Sequence, residues 1–125
     1  MTPDQIDVLI ASHLSWRERF LTFAYTGNSD GWTSRETVGD SSACELGRML
    51  AILNLTHAPG WSKLLTVHRQ FHREAKVIYD LAEAKKADQV DAALGSSTNE
   101  FIGSTLELVR LLKELKAYIQ SQPVL

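Results

Sequence analysis

Four side chains set the chemistry this chain can attempt: His13, Cys44, His68 and His72. His68 and His72 stand four apart within Val67-His68-Arg69-Gln70-Phe71-His72. On a helix that spacing puts both imidazoles on one face, one turn apart, so that they can serve a single metal ion. His13 and Cys44 each fall on a separate predicted helix. Three imidazoles and a thiolate make a closed tetrahedral site, and zinc suits that donor set. The competing reading is three unconnected core or surface histidines. Histidine is only intermediate in its preference for burial, and each buried neutral ring needs a hydrogen-bond partner. Three on the inner faces of a small helical domain therefore point to a common partner.

The same residues argue against an enzyme. Four protein ligands leave no open position for a substrate water, so a structural or regulatory site is expected. Arg69, Gln70 and Phe71 fill the gap between the paired histidines, where a zinc hydrolase of the HExxH type carries its glutamate. No nucleophile-elbow pattern is present. His57 lies in the His57-Ala58-Pro59-Gly60 connection and reads as a solvated loop residue, with Trp61 packing across that loop.

Helices must position these groups. The first is expected from Pro3 to Tyr25, with Thr2 as cap, Pro3 at the first helical position and Gln5 closing a capping box. Ile6, Leu9, Ile10, His13, Trp16, Phe20 and Phe23 form its apolar stripe, and Gly27-Asn28 ends it. Residues 26–41 are polar and form a long loop with a short helical turn near Ser34–Val38, pinned to the domain by Trp32. The second helix is expected from Ser41 or Ser42 to Leu55. Ser42 and Glu45 would form a capping box, which puts Cys44 in the first turn, where the helix dipole favours a thiolate. Gly47, unfavourable inside a helix by about 1 kcal/mol relative to alanine, marks the close approach of another helix or ring. Ser62 caps a third helix reaching Lys86, with Leu64, Leu65, His68, Phe71, His72, Ala75, Ile78, Tyr79 and Ala82 inward. The last spans Asp88 to Ile119, with a kink or break near Gly95 to Thr98 and a new start capped by Ser97. Its broad apolar stripe, Leu108, Leu112, Leu115 and Ile119 widened by Ile102, Leu106, Val109 and Leu111, is wide enough to serve a second subunit as well.

The chain is thus expected to be one all-α domain, 1–125: a four-helix bundle with a long loop between the first two helices. At 44% hydrophobic residues it can build a core. The net charge of −2 and the lack of a basic stripe speak against nucleic acid or a membrane surface. No apolar run is long enough to span a bilayer, and residues 1–12 lack the features of a signal peptide. A single cysteine rules out an internal disulfide framework and suits a reducing compartment.

Three segments carry a resemblance: His13-Leu14-Ser15-Trp16, Cys44-Glu45-Leu46-Gly47-Arg48-Met49 and His68-Arg69-Gln70-Phe71-His72. Together they resemble the chemoreceptor zinc-binding (CZB) domain family. Its pattern is a histidine with a large apolar residue three further on, a Cys-x-Leu-Gly segment and a closing HxxxH. Met49 stands where the family often has an aromatic residue. The resemblance implies zinc ligands at His13, Cys44, His68 and His72, with framework positions at Trp16, Leu46 and Gly47. It also implies a cytoplasmic bacterial sensor domain that forms a homodimer and works with a chemoreceptor, a diguanylate cyclase or another signalling output module. Zinc occupancy, or oxidation of the cysteine by hypochlorous acid, then sets the output. The alternative is a structural or adaptor bundle in which zinc only stabilises the fold.

Overall fold

Thr2 and Gln5 open the first helix by exchanging hydrogen bonds. The Thr2 N–H donates to Gln5 Oε1 (2.8 Å) and the Gln5 N–H to Thr2 Oγ1 (3.3 Å), the reciprocal capping box that satisfies two orphan donors. In the computed structural model this helix, α1, spans Pro3–Thr26. Helix α2 is Arg35–Gly39, α3 is Glu45–Leu53, α4 is Trp61–Glu83 and α5 is Glu100–Ser121. The structure describes residues 2–26, 34–53, 55–84, 86, 88–90, 92 and 100–121, without the side chains of 35 and 100–102. The expectations for Gly27-Asn28, Trp32 and the Gly95 to Thr98 break fall outside these residues. Residues 88–90 are helical, and Val90 is buried.

All regular structure among the described residues is helical. Three long helices carry it: α4 packs on α5, α2 and α1, and α1 packs also on α5 and α3. Two apolar clusters form. One gathers Ile6 and Leu9 of α1, Leu46 and Leu50 of α3, Trp61 and Leu64 of α4, and Leu108, Leu112 and Leu115 of α5. The other gathers Phe20 and Phe23 of α1, Val38 of α2, and Phe71, Ala75 and Ile78 of α4. His13 lies between these clusters along α1, and His68 and His72 lie at their junction along α4. A polar layer therefore lies between the two apolar clusters. Lys116 bonds Asp7 (2.8 Å) and Lys63 bonds Glu107 (2.9 Å) at the surface. Such exposed pairs contribute little and set orientation at most.

Two helix starts differ from expectation, each for a local reason. α3 starts at Glu45, because Ser42 is captured elsewhere. Its N–H and its hydroxyl both donate to Asp40 Oδ1 (2.9 and 2.6 Å), a side-chain turn that competes with helix. α4 starts at Trp61 after Gly60, which has φ 77° and no side-chain cap. Ser62 thus lies inside the first turn, and glycine meets the left-handed backbone that other residues adopt with strain. α3 and α4 also end earlier than expected, at Leu53 and Glu83. Leu106, one of the residues expected to widen the apolar stripe of the last helix, is 68% exposed. No helix among the described residues is long and apolar enough to cross a membrane.

Candidate metal centre

The three imidazoles come from the two longest helices. His13 faces inward one turn after Leu9 on α1, and His68 and His72 stack one turn apart on α4. All three are buried, at 4%, 2% and 0% exposure, with Cys44 at 9%. The rings meet edge-on, with centroids 5.2 Å apart for His13 and His68, 5.7 Å for His13 and His72, and 4.8 Å for His68 and His72. One ligand atom from each of His13, Cys44, His68 and His72 can be chosen so that all lie within 4.8 Å of one another. Tetrahedral zinc sets its nitrogen and sulfur donors about 3.3 to 3.6 Å apart, given bonds of about 2.0–2.1 and 2.3 Å. Small side-chain rotations bridge the difference. All four residues singled out in the sequence therefore converge, and His57 stays exposed near Tyr118, away from them.

Cys44 is held differently from expectation. It is the cap residue of α3 rather than a first-turn residue. Its carbonyl accepts the Arg48 N–H (3.0 Å), and its sulfur accepts the Gly47 N–H (3.3 Å). The side chain thus does the work that serine or aspartate usually does at this position, which fixes its rotamer toward His68 Nε2, 3.2 Å away. Burial pushes the thiol pKa up, against the opposing pull of the Gly47 and Leu46 N–H groups. The helix start alone therefore does not make the thiolate, and a cation beside the sulfur would.

Gly47 has a tighter role than expected. What approaches it is backbone of its own connection, not another helix or ring. A Cβ there would lie 1.7 Å from the Ser41 carbonyl oxygen and 2.8 Å from the Ser41 carbonyl carbon. Ordinarily glycine to alanine inside a helix stabilises by about 1 kcal/mol. Here Gly47→Ala is expected to reverse that sign, destabilising by about 1–3 kcal/mol because backbone must move. It should also weaken zinc binding at least tenfold, since the displaced segment carries Cys44. Thermal unfolding and a competitive zinc titration check both. A variant as stable as the parent would show that the close approach does not exist.

Two ring nitrogens show what the cluster is suited to hold. His72 Nδ1 lies 2.9 Å from the Val38 carbonyl oxygen. A carbonyl only accepts, so Nδ1 carries the proton and Nε2 keeps its lone pair. That Nε2 is buried without a partner, as is His13 Nε2. Buried polar atoms are almost always paired, so two orphan imidazole nitrogens facing a thiol and a third imidazole fit a cation well. Desolvation holds all three rings neutral: His13 falls to about 3, His68 to about 2, and His72 is lowered too, though the Val38 carbonyl and Asp40 oppose it. Neutral imidazole is the form that ligates.

No family model, curated protein or solved structure matches the chain. The metal reading rests on the geometry and donor chemistry of this site. Val38 is the functional group the sequence did not reveal. A backbone carbonyl orienting a ligand leaves no mark on residue type; only the expected helical turn near Ser34–Val38 pointed to that segment. Asp40 holds the turn leading to Cys44 through its side chain, a local competition for Ser42 that helical periodicity does not show.

Proposed function

We propose that this chain is a zinc-binding regulatory domain of the chemoreceptor zinc-binding kind, with His13, Cys44, His68 and His72 as ligands. The observation that carries the proposal is the buried pair of unpartnered Nε2 atoms, His13 and His72, beside Cys44 and His68. Zinc bound there supplies bonds that join α1, α4 and the start of α3. The chain's own part is orientation: Val38 fixes the His72 tautomer, and Gly47 fixes the Cys44 sulfur. Cys44 is the ligand at a helix end, next to a turn held by the Asp40 side chain, while the histidines sit mid-helix. It is therefore the tie that gives first when zinc leaves or when hypochlorous acid oxidises the sulfur. The start of α3 then moves relative to α4.

The proposal extends to a four-helix reading of α1, α3, α4 and α5, a homodimer, a cytoplasmic setting and a signalling output module as partner, with no catalytic role. The competing function is a staple, in which zinc only stabilises an adaptor fold. The two apolar clusters flanking the site favour regulation, because each holds helices together without the polar layer. Zinc-loaded and metal-stripped protein compared by circular dichroism, sedimentation and hydrogen exchange decide between them. Regulation is expected to leave stripped protein helical and dimeric, with faster exchange confined to residues 34–53. Global unfolding on stripping would establish the staple instead. Mass analysis of Cys44 after oxidant treatment, with zinc release, separates the redox trigger from simple zinc loss.

A further inference from the structure

Beside the metal cluster lies a cavity of about 400 Å³, walled by α1, α2 and the start of α3. His13 and Cys44 form part of its lining, so the cavity adjoins the ligand set. Arg19 of α1 and Arg48 of α3 bring two guanidinium-bearing side chains to it from different helices. Arg48 donates one N–H to the Ala43 carbonyl (2.6 Å), and Ala43 is itself a wall residue. That contact uses one of the guanidinium's five donors. The hydroxyl residues Ser15 and Thr37 add neutral donors, and half-buried Trp16, stacked on Phe20, adds an aromatic wall. The one carboxylate in the lining, Glu45, accepts the Ser12 hydroxyl through Oε2 (2.7 Å). Among the charged residues of the lining, Arg19 and Arg48 are cationic and Glu45 is anionic.

We propose that this cavity binds a small organic carboxylate, with Arg19 and Arg48 taking the carboxylate and Trp16 taking the body of the molecule. A guanidinium matches a carboxylate in charge and in planar geometry. The cavity exceeds what a bare inorganic anion fills, and an aromatic wall gives nothing to such an ion but covers an organic body. The proposal does not depend on zinc, because no metal ligand is needed to hold the molecule. With His13 and Cys44 in the wall, an occupant would still be felt at the metal centre.

Benzoate is the probe, titrated into zinc-loaded and metal-stripped protein while the Trp16 indole N–H is followed by NMR. Benzyl alcohol and benzylamine serve as controls with a similar body and different charge. Benzoate alone is expected to shift Trp16 in a saturable way, in the millimolar range or tighter. Arg48→Gln and Arg19→Gln should each weaken it about tenfold, the loss expected for one charge-assisted contact. Glu45→Gln should strengthen it, which a merely disturbed fold would not do. Each variant is first checked for parental thermal stability and zinc affinity. Equal binding of benzyl alcohol, no saturable shift at Trp16, or unchanged affinity in both arginine variants would overturn the proposal. Failure of zinc to bind would leave the benzoate result intact and count only against the metal reading.

Discussion

Replacing both His68 and His72 with alanine is expected to abolish zinc binding, while Cys44→Ser leaves a weakened three-histidine site. Structural zinc sites release about 10–16 kcal/mol on binding, so one of four ligands accounts for roughly 3 kcal/mol, about 100-fold in affinity. Losing two then costs on the order of 10⁴-fold and leaves His13 and Cys44, on separate helices, with no preformed pair. Serine is the informative change at position 44. The Cys44 sulfur both faces the cluster and accepts the Gly47 N–H, and alanine would remove both functions at once. Serine is a good cap, so Cys44→Ser isolates the loss of the thiolate from the loss of the helix start. Competition against a zinc-sensitive dye measures the affinities, and thermal unfolding checks the fold. Parental affinity in the double variant would refute the ligand assignment. Parental affinity in Cys44→Ser would reduce the site to three histidines and an open position, and would remove the argument against catalysis.

These expectations were largely legible in the sequence, because the ligand pattern and the helical pattern share one geometry. The period that puts Leu64, His68, Phe71, His72 and Ala75 on one face is the period that buries them. Once His68 and His72 are known to share that face, only the placement of His13 and Cys44 depends on tertiary structure. What the sequence did not show was local competition for hydrogen bonds. Ser42 and Cys44 are both able to cap a helix, and Ser42 is the better cap by residue type. The Asp40 carboxylate takes Ser42 out of that role, so the sulfur caps instead. Gly47 was recognised as needing space, but the occupant of that space, the Ser41 carbonyl, belongs to a turn whose course no periodicity describes. The Val38 carbonyl is invisible for a simpler reason, since every residue has one.

Metal-free protein is expected to lose stability steeply as the pH falls below neutral, well before its carboxylates protonate. The cause is the neutral polar layer. His13 is lowered to about 3 and His68 to about 2, with burial the largest cause and neighbouring imidazoles adding to it, and His72 is lowered as well. In the unfolded chain each titrates near 6.5. Because the folded values are depressed, the unfolded state binds protons first. The full stability is present above about pH 6.5, and it declines as the pH falls toward the folded values. At pH 5 each fully buried imidazole has lost about 2 kcal/mol relative to pH 8, from roughly 1.5 units at 1.36 kcal/mol per unit. Two such groups account for about 4 kcal/mol, a large share of the 5–15 kcal/mol typical of a domain. The urea midpoint of metal-stripped protein should therefore drop sharply between pH 7.5 and 5.0. His13→Leu with His68→Leu should flatten that dependence by more than half, since an apolar side chain of suitable volume has no proton to take up and need not be destabilising in a buried site. Saturating zinc should move the loss to lower pH, because protons must then displace the ion before they reach the rings. Equal midpoints at the two pH values in stripped protein would mean that the imidazoles are solvated, and the closed metal centre would fall with the buried layer.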